Sequence, residues 1–165
     1  MLSKEINTRV GIGYDVHKLV SGRKLIIGAV LIDSELGALG FSDADVLIHA
    51  IADALLGAAA LGDIGHHFPD TDSKNEGLSG SYLLSEVVRL LNSNNFSIVN
   101  IDSTVILQSP KISSHIYKMR ENLSLLLDID ISRVSVKATT TERLGFIGKN
   151  EGIAAEAIVL LRENI

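Results

Sequence analysis

The spacing of apolar residues changes period several times along this chain, and that alternation restricts it to folds that mix strands with helices. Within Phe96 to Leu107, Ile101, Ser103, Val105 and Leu107 recur at period two, whereas Ile112, Ile116, Met119, Leu123 and Leu126 recur at helical spacing. Val134 to Thr139 alternates again, and Ile153, Ala155, Ala157, Val159 and Leu161 form a last alternating run. Earlier strands are expected at Arg9 to Tyr14, with Gly11 and Gly13 interrupting, and at Lys24 to Ile32, with a bulge or turn at Gly28. Ser42-Asp43-Ala44-Asp45 has the character of a helix N-terminus and predicts a helix from about Asp43 to Leu61. A second helix follows from about Ser81 to Asn92, with Leu84, Val87, Val88 and Leu91 on one face and Asn94-Asn95 ending it. Between them Gly62 to Leu78 reads as a long irregular loop. The last two strands lack a helix between them, so the expected fold is α+β: one domain, 1–165, with a mixed β-sheet and helices on one face.

Composition narrows what such a domain can do. Aromatic residues make up 4% against 46% hydrophobic, so the core must be built from Leu, Ile, Val and Ala. A mean hydropathy of +0.29 hints at apolar surface for self-association. The net charge of −5 leaves no cationic excess for a nucleic-acid groove, although a small anion needs only local donors or a metal. With no Cys there is no disulfide framework and no thiolate site, so any metal must use His and carboxylates. Apolar runs are broken by Asp, His or Gly before the length of a membrane span is reached. The segment Met1 to Thr8 lacks the hydrophobic stretch of a secretory signal, and a cytoplasmic protein is expected.

Three clusters of residues carry chemistry. Asp15 and His17 are two apart on an expected strand and so project to one side, where a third ligand can come from the helical stripe Asp45, His49, Asp53. Two imidazoles and one carboxylate suit zinc and leave a fourth position open, whereas each His alone is more often a structural or exposed residue. The second cluster is Asp63-Ile64-Gly65 with Phe68-Pro69-Asp70-Thr71-Asp72. It reads either as an acidic surface loop or as carboxylates and amides that hold substrate hydroxyls. The third, Lys137-Ala138-Thr139-Thr140-Thr141-Glu142 at a strand end, reads either as β propensity or as a phosphate grip with a carboxylate for a hard cation. Gly11-x-Gly13 is not a dinucleotide fingerprint, and no Walker A sequence occurs.

Taken together with Gly13-Tyr14-Asp15-Val16-His17, Ser42-Asp43-Ala44-Asp45-Val46 and Ser109-Pro110-Lys111, these residues resemble the 2-C-methyl-D-erythritol 2,4-cyclodiphosphate synthase family from about Arg9 to Leu161. The resemblance implies a phosphorus-oxygen lyase of the non-mevalonate isoprenoid pathway, assembled as a homotrimer with sites between subunits. It implies zinc on Asp15, His17 and His49, and magnesium or manganese on Glu142. The substrate's methylerythritol phosphate would meet Asp63, Ile64, Gly65, Phe68, Pro69, Asp70, Thr71 and Asp72. The cytidine pocket would be built by Leu107, Gln108, Ser109, Pro110, Lys111, Ile112 and Ser113 with Thr139, Thr140 and Thr141, where Thr140 and Glu142 are the expected catalytic groups. Ser42 and the residue before it would face the phosphate under attack, and Phe146 with Lys149 would line an axial cavity able to hold a prenyl diphosphate.

Two departures from the family pattern are visible. Phe41 occupies the position usually held by His, which removes an imidazole, and Lys149 replaces an Arg, which keeps the charge but not the bidentate fork. The rival readings are a silent nucleotide- and metal-binding trimer and a zinc hydrolase.

Overall fold

The computed structural model describes residues 7–164, so the segment Met1 to Thr8 lies, up to residue 6, outside the described residues. Five strands form the main sheet: β1 (Thr8–Ser21), β4 (Leu36–Leu39), β5 (Phe96–Ile106), β6 (Val134–Thr139) and β7 (Gly152–Glu163). A separate hairpin joins β2 (Leu25–Ile27) to β3 (Val30–Ile32), and the principal helices are α1 (Val46–Ala58), α3 (Gly80–Ser93) and α4 (Ile116–Leu127). Short helices α2 (Ile64–His67) and α5 (Gly145–Gly148) lie in the connections.

The sheet order is β4-β1-β7-β5-β6. Only β5 and β6 pair in parallel; β7 runs antiparallel to both β1 and β5, so β1, β5 and β6 all point the same way. Asp15 pairs with Ala155, which pairs with Val105, which pairs with Ala138, and this register puts the ends of β1, β5 and β6 at one edge of the molecule. The mixed sheet is the one expected.

Alternation explains how the sheet acquires two unlike faces. Along β1, Gly11, Gly13 and Leu19 are buried while Val10, Ile12, Tyr14 and Val16 are exposed. All three long helices cover the first face, with α1 across β1, β7 and β5, α3 against β5 and α4 against β6. The two glycines do not interrupt the strand, which runs on to Ser21. They let α1 lie directly on it, because a Cβ on Gly11 or Gly13 would overlap the carbonyl oxygen of Ala54 or Ala50. Ala50, Ala54 and Ala58 recur every four residues to make the matching flat stripe on the helix.

Several boundaries differ from the sequence expectation. Helix α1 begins at Val46, not Asp43, because Asp45 is its N-cap and accepts from the Ile48 amide. Gly28 and Ala29 both have positive φ, so Lys24 to Ile32 is a tight hairpin with a two-residue turn. Both turn amides donate to Asp45, at 2.9 and 2.7 Å, which clamps the hairpin onto the start of α1. The loop Gly62 to Leu78 contains α2 and a 3₁₀ turn at Ser73–Asn75, capped by Asp63 and Asp72. The strand β4 and the single turn α5 are too short to carry a periodic signal.

Candidate active site

Close packing of α1 on β1 is what assembles the metal-ligating cluster. Past the two glycines, Asp15 and His17 continue along the same face of β1, and the first turn of α1 brings His49 over them. Oδ2 of Asp15 lies 2.8 Å from Nε2 of His17 and 3.1 Å from Nδ1 of His49, and the two ring nitrogens are 3.3 Å apart. A tetrahedral zinc with bonds of about 2.0 Å has ligand atoms about 3.3 Å from one another, so this donor set fits the ion in spacing as well as in type. Asp45 is not part of it: its carboxylate is buried in the clamp on Gly28 and Ala29. Asp53, one turn beyond His49, accepts from the Ile64 amide at 2.8 Å and ties α2 to α1.

The second nitrogen of each imidazole also has a partner. Nδ1 of His17 donates to the Leu39 carbonyl at 3.0 Å, which directs the Nε2 lone pair at the cluster. Nε2 of His49 faces the Ser42 hydroxyl at 3.3 Å, and that hydroxyl accepts from the Ala44 amide. Burial works to raise the Asp15 carboxyl, but hydrogen bonds and positive charge from the two imidazoles hold it down at about 2. Burial works to lower His17, and the Asp15 carboxylate outweighs it, so the imidazole lies above its ordinary value. Burial pushes Asp45 up to about 6 against the pull of its three backbone donors. The Asp53 carboxyl is raised as well, chiefly by burial.

Residues Asp63 to Asp72 form a half-exposed ledge below α1. Asp63 accepts from the His66 amide at 2.9 Å and Asp72 from the Lys74 amide at 3.0 Å, while the Phe68 amide donates to Ile64. Each of these carboxylates thus shapes the ledge through one oxygen. Phe41, 43% exposed, stands on the bend between β4 and α1, next to Ser42.

A third group lies at the ends of β5 and β6. Leu107, Gln108, Pro110, Lys111, Ile112 and Ser113 line a pocket of about 170 Å³ with Ala138, Thr139 and Thr140; Ser109 lies in the same segment. Gln108 accepts from the Arg143 amide at 3.0 Å, locking the two segments together. Glu142 and Arg143 both have positive φ, and this sharp turn presents Glu142 with its Oε1 3.4 Å from the Thr140 hydroxyl. Thr141 donates to the Leu144 carbonyl at 2.7 Å, which holds the turn. An oxygen-only pair of this kind suits a hard cation. Phe146 lies within α5 and Lys149 is its C-cap, with the Phe146 ring packed over Gly152 of β7.

These two parts of the site share one edge of the sheet but not one strand. Asp15 and His17 sit on β1, and Thr140 and Glu142 follow β6, with β7 and β5 between. At about 4.8 Å per strand the separation is roughly 14 Å within a single chain.

The α+β fold thus sets an Asp-His-His cluster able to hold a metal ion and a hydroxyl-rich pocket at the same end of the sheet. Residues 8–162 match the YgbB family, and the chain belongs to it. A 2-C-methyl-D-erythritol 2,4-cyclodiphosphate synthase of Clostridium tetani is 59% identical over 157 residues, covering 95% of this chain and 99% of the relative. A synthase of the same name from Alkaliphilus oremlandii is 61% identical over 150 residues, covering 91% and 96%. Among solved structures, the bifunctional IspDF of Campylobacter jejuni superposes with a TM-score of 0.93 at 42% identity, covering 96% of this chain and 43% of that longer protein. The CDP complex of IspF from Plasmodium falciparum superposes with a TM-score of 0.85 at 36% identity, covering 98% and 100%. Among the described residues no helix is long and apolar enough to cross a membrane.

Sequence reasoning named Asp15, His17 and His49 together, and the structure brings them together. It missed the Leu39 carbonyl that orients His17, because a backbone acceptor leaves no mark in a sequence, and it read Ser42 as a phosphate contact where the structure sets its hydroxyl against His49.

Proposed function

We propose that this chain, as one cyclodiphosphate-synthase domain over 1–165, converts 4-diphosphocytidyl-2-C-methyl-D-erythritol 2-phosphate to 2-C-methyl-D-erythritol 2,4-cyclodiphosphate and CMP in the cytoplasm. An oxygen of the substrate's 2-phosphate bonds to the β-phosphorus as the bond from that phosphorus to the CMP oxygen breaks, and CMP departs with the electron pair. No protein nucleophile is needed, so the chain's work is to fold the substrate back on itself and to balance charge on the phosphorus. The observation that carries the reading is the convergence of Asp15, His17 and His49 at the sheet edge that also bears the Thr140–Glu142 turn.

Zinc held by Asp15, His17 and His49, and magnesium or manganese held by Glu142, would supply fixed positive charge beside the phosphates. Thr140 donates its hydroxyl to a phosphate oxygen, and Asp63 with the Phe68 to Asp72 ledge accepts hydrogen bonds from the methylerythritol hydroxyls. Ser42 keeps His49 oriented. The segment Leu107 to Ser113 encloses the cytosine and ribose. A separation of about three strands between the two parts of the site favours a homotrimer in which each site takes its zinc part from one subunit and its cytidine part from the next. The exposed apolar face of the sheet supplies the interface. In such a trimer Phe146 and Lys149 would line an axial cavity with an apolar wall and a cationic end, suited to a prenyl diphosphate.

Incubating the protein with the cytidine diphosphate substrate, zinc and magnesium, and following phosphorus NMR, tests the reading. CMP with a cyclic diphosphate is expected. CMP with an open-chain product would instead mark a zinc hydrolase, and no turnover a binding protein.

A further inference from the structure

The groups that orient both histidines come from one short stretch of backbone. Leu39, the last residue of β4, gives its carbonyl to His17 and Ser42 gives its hydroxyl to His49, and the two bracket the bend that leads from β4 to the N-cap of α1. A bend like this has inward-facing carbonyls that neither the sheet nor the helix can satisfy, so something else must hold it.

The Gly77 amide takes the Phe41 carbonyl at 3.1 Å, and one side chain takes the carbonyls on either side of it. From the turn after β1, Arg23 donates through Nε to the Ala38 carbonyl at 3.3 Å, and through Nη2 to the carbonyls of Gly40 at 2.9 Å and Ser42 at 3.3 Å. Three carbonyls at alternate positions are gathered by a single planar fork, which fixes the curvature of the bend as well as its place. Among the described residues the guanidinium forms no ion pair, so its directed contacts all go to this segment. The backbone of Arg23 is braced there too, since its carbonyl oxygen occupies the place a Cβ on Gly37 would take.

We infer that Arg23 is a positioning residue for the metal centre: by gathering the carbonyls of Ala38, Gly40 and Ser42 it sets the bend that orients the ring nitrogens of His17 and His49. It touches neither ligand. The inference rests on the metal-site reading above and adds to it the part of the chain that aims the ligands. A Lys at this position would keep the charge but could not hold three carbonyls at fixed angles.

The test uses Arg23→Met and Arg23→Lys beside the unaltered chain. Zinc affinity is measured by competition with a chromogenic chelator, and amide exchange at Ala44, whose N–H is held by Ser42, is measured in metal-free protein. Loss of an orienting partner of a metal ligand typically weakens binding about 10- to 100-fold, and that is expected for Arg23→Met, with Arg23→Lys between it and the unaltered chain. Exchange at Ala44 should quicken in the same order without zinc present. Zinc affinity in folded Arg23→Met equal to that of the unaltered chain would overturn the inference. Should Arg23→Met fail to fold, Arg23→Lys decides by the same comparison. Absence of tight zinc from the unaltered chain would instead end the metal-site reading itself, and this inference with it.

Discussion

At the scale of single residues, the cluster of Asp15, His17 and His49 is a balance between protons and a metal. In the metal-free chain Asp15 overcomes burial to hold His17 above its ordinary value of about 6.5, so the stability this contributes is full below that value and is lost as pH rises through the folded one. Asp15, held at about 2, contributes above its ordinary 3.8 and loses that contribution as pH falls toward 2. Metal-free protein should therefore become less stable as pH rises above about 6.5, whereas zinc, which needs His17 deprotonated, should stabilise increasingly over the same rise. Thermal unfolding with and without chelator checks this, and parallel pH profiles would refute it. Phe41 is the other residue whose chemistry stands out. Restoring a donor beside a reacting phosphate is worth up to about 3 kcal/mol at the transition state, so Phe41→His should raise kcat by as much as about 100-fold with little change in KM. An equal or lower kcat, with zinc content intact, would show that another group already serves that phosphate.

At the scale of elements, the contact between α1 and β1 governs the site. Gly13→Ala would push a methyl group into the Ala50 carbonyl, and the helix must lift or tilt to relieve it. Overpacking of this sort costs about 1–3 kcal/mol, and because His49 rides on the displaced helix, zinc should be lost along with stability. A denaturant midpoint and metal analysis measure the two effects; a fall in stability with full zinc would show that the ligands do not depend on the helix contact. This is also where reading the sequence stopped short. Strong periodicity announced β5, β6, β7 and the long helices, and the two-residue spacing of Asp15 and His17 announced a shared face. Gly11 and Gly13 looked like breaks because the reason for them is a helix that lies forty residues further on. Asp45 and His49 looked like one helical stripe, since the capping character of Ser42-Asp43-Ala44-Asp45 does not say which residue is the cap or that its carboxylate turns toward a hairpin. Arg23 stands in a Gly-Arg-Lys turn, a setting in which an exposed cation draws no notice.

At the scale of the whole molecule, the sheet has one face under helices and one face bare. On the bare face Val10 is 69% exposed, Ile12 73% and Ile158 52%, more apolar surface than isolated side chains account for. In the proposed trimer this is the interface, so Ile12→Glu should give a folded monomer by sedimentation that keeps zinc, all three ligands being its own, and yet has no turnover. A trimer of unchanged mass would place the interface elsewhere. The strand order carries a further consequence, because a chain whose two working ends lie on different strands is divisible in function. His49→Ala and Glu142→Gln chains, each inactive as pure trimers, would when unfolded together and reassembled form mixed rings in which an intact zinc end meets an intact cytidine end. Random mixing in equal amounts gives about one such pairing in four, so two dead proteins should recover roughly a quarter of full activity, while a site contained within one chain would recover none.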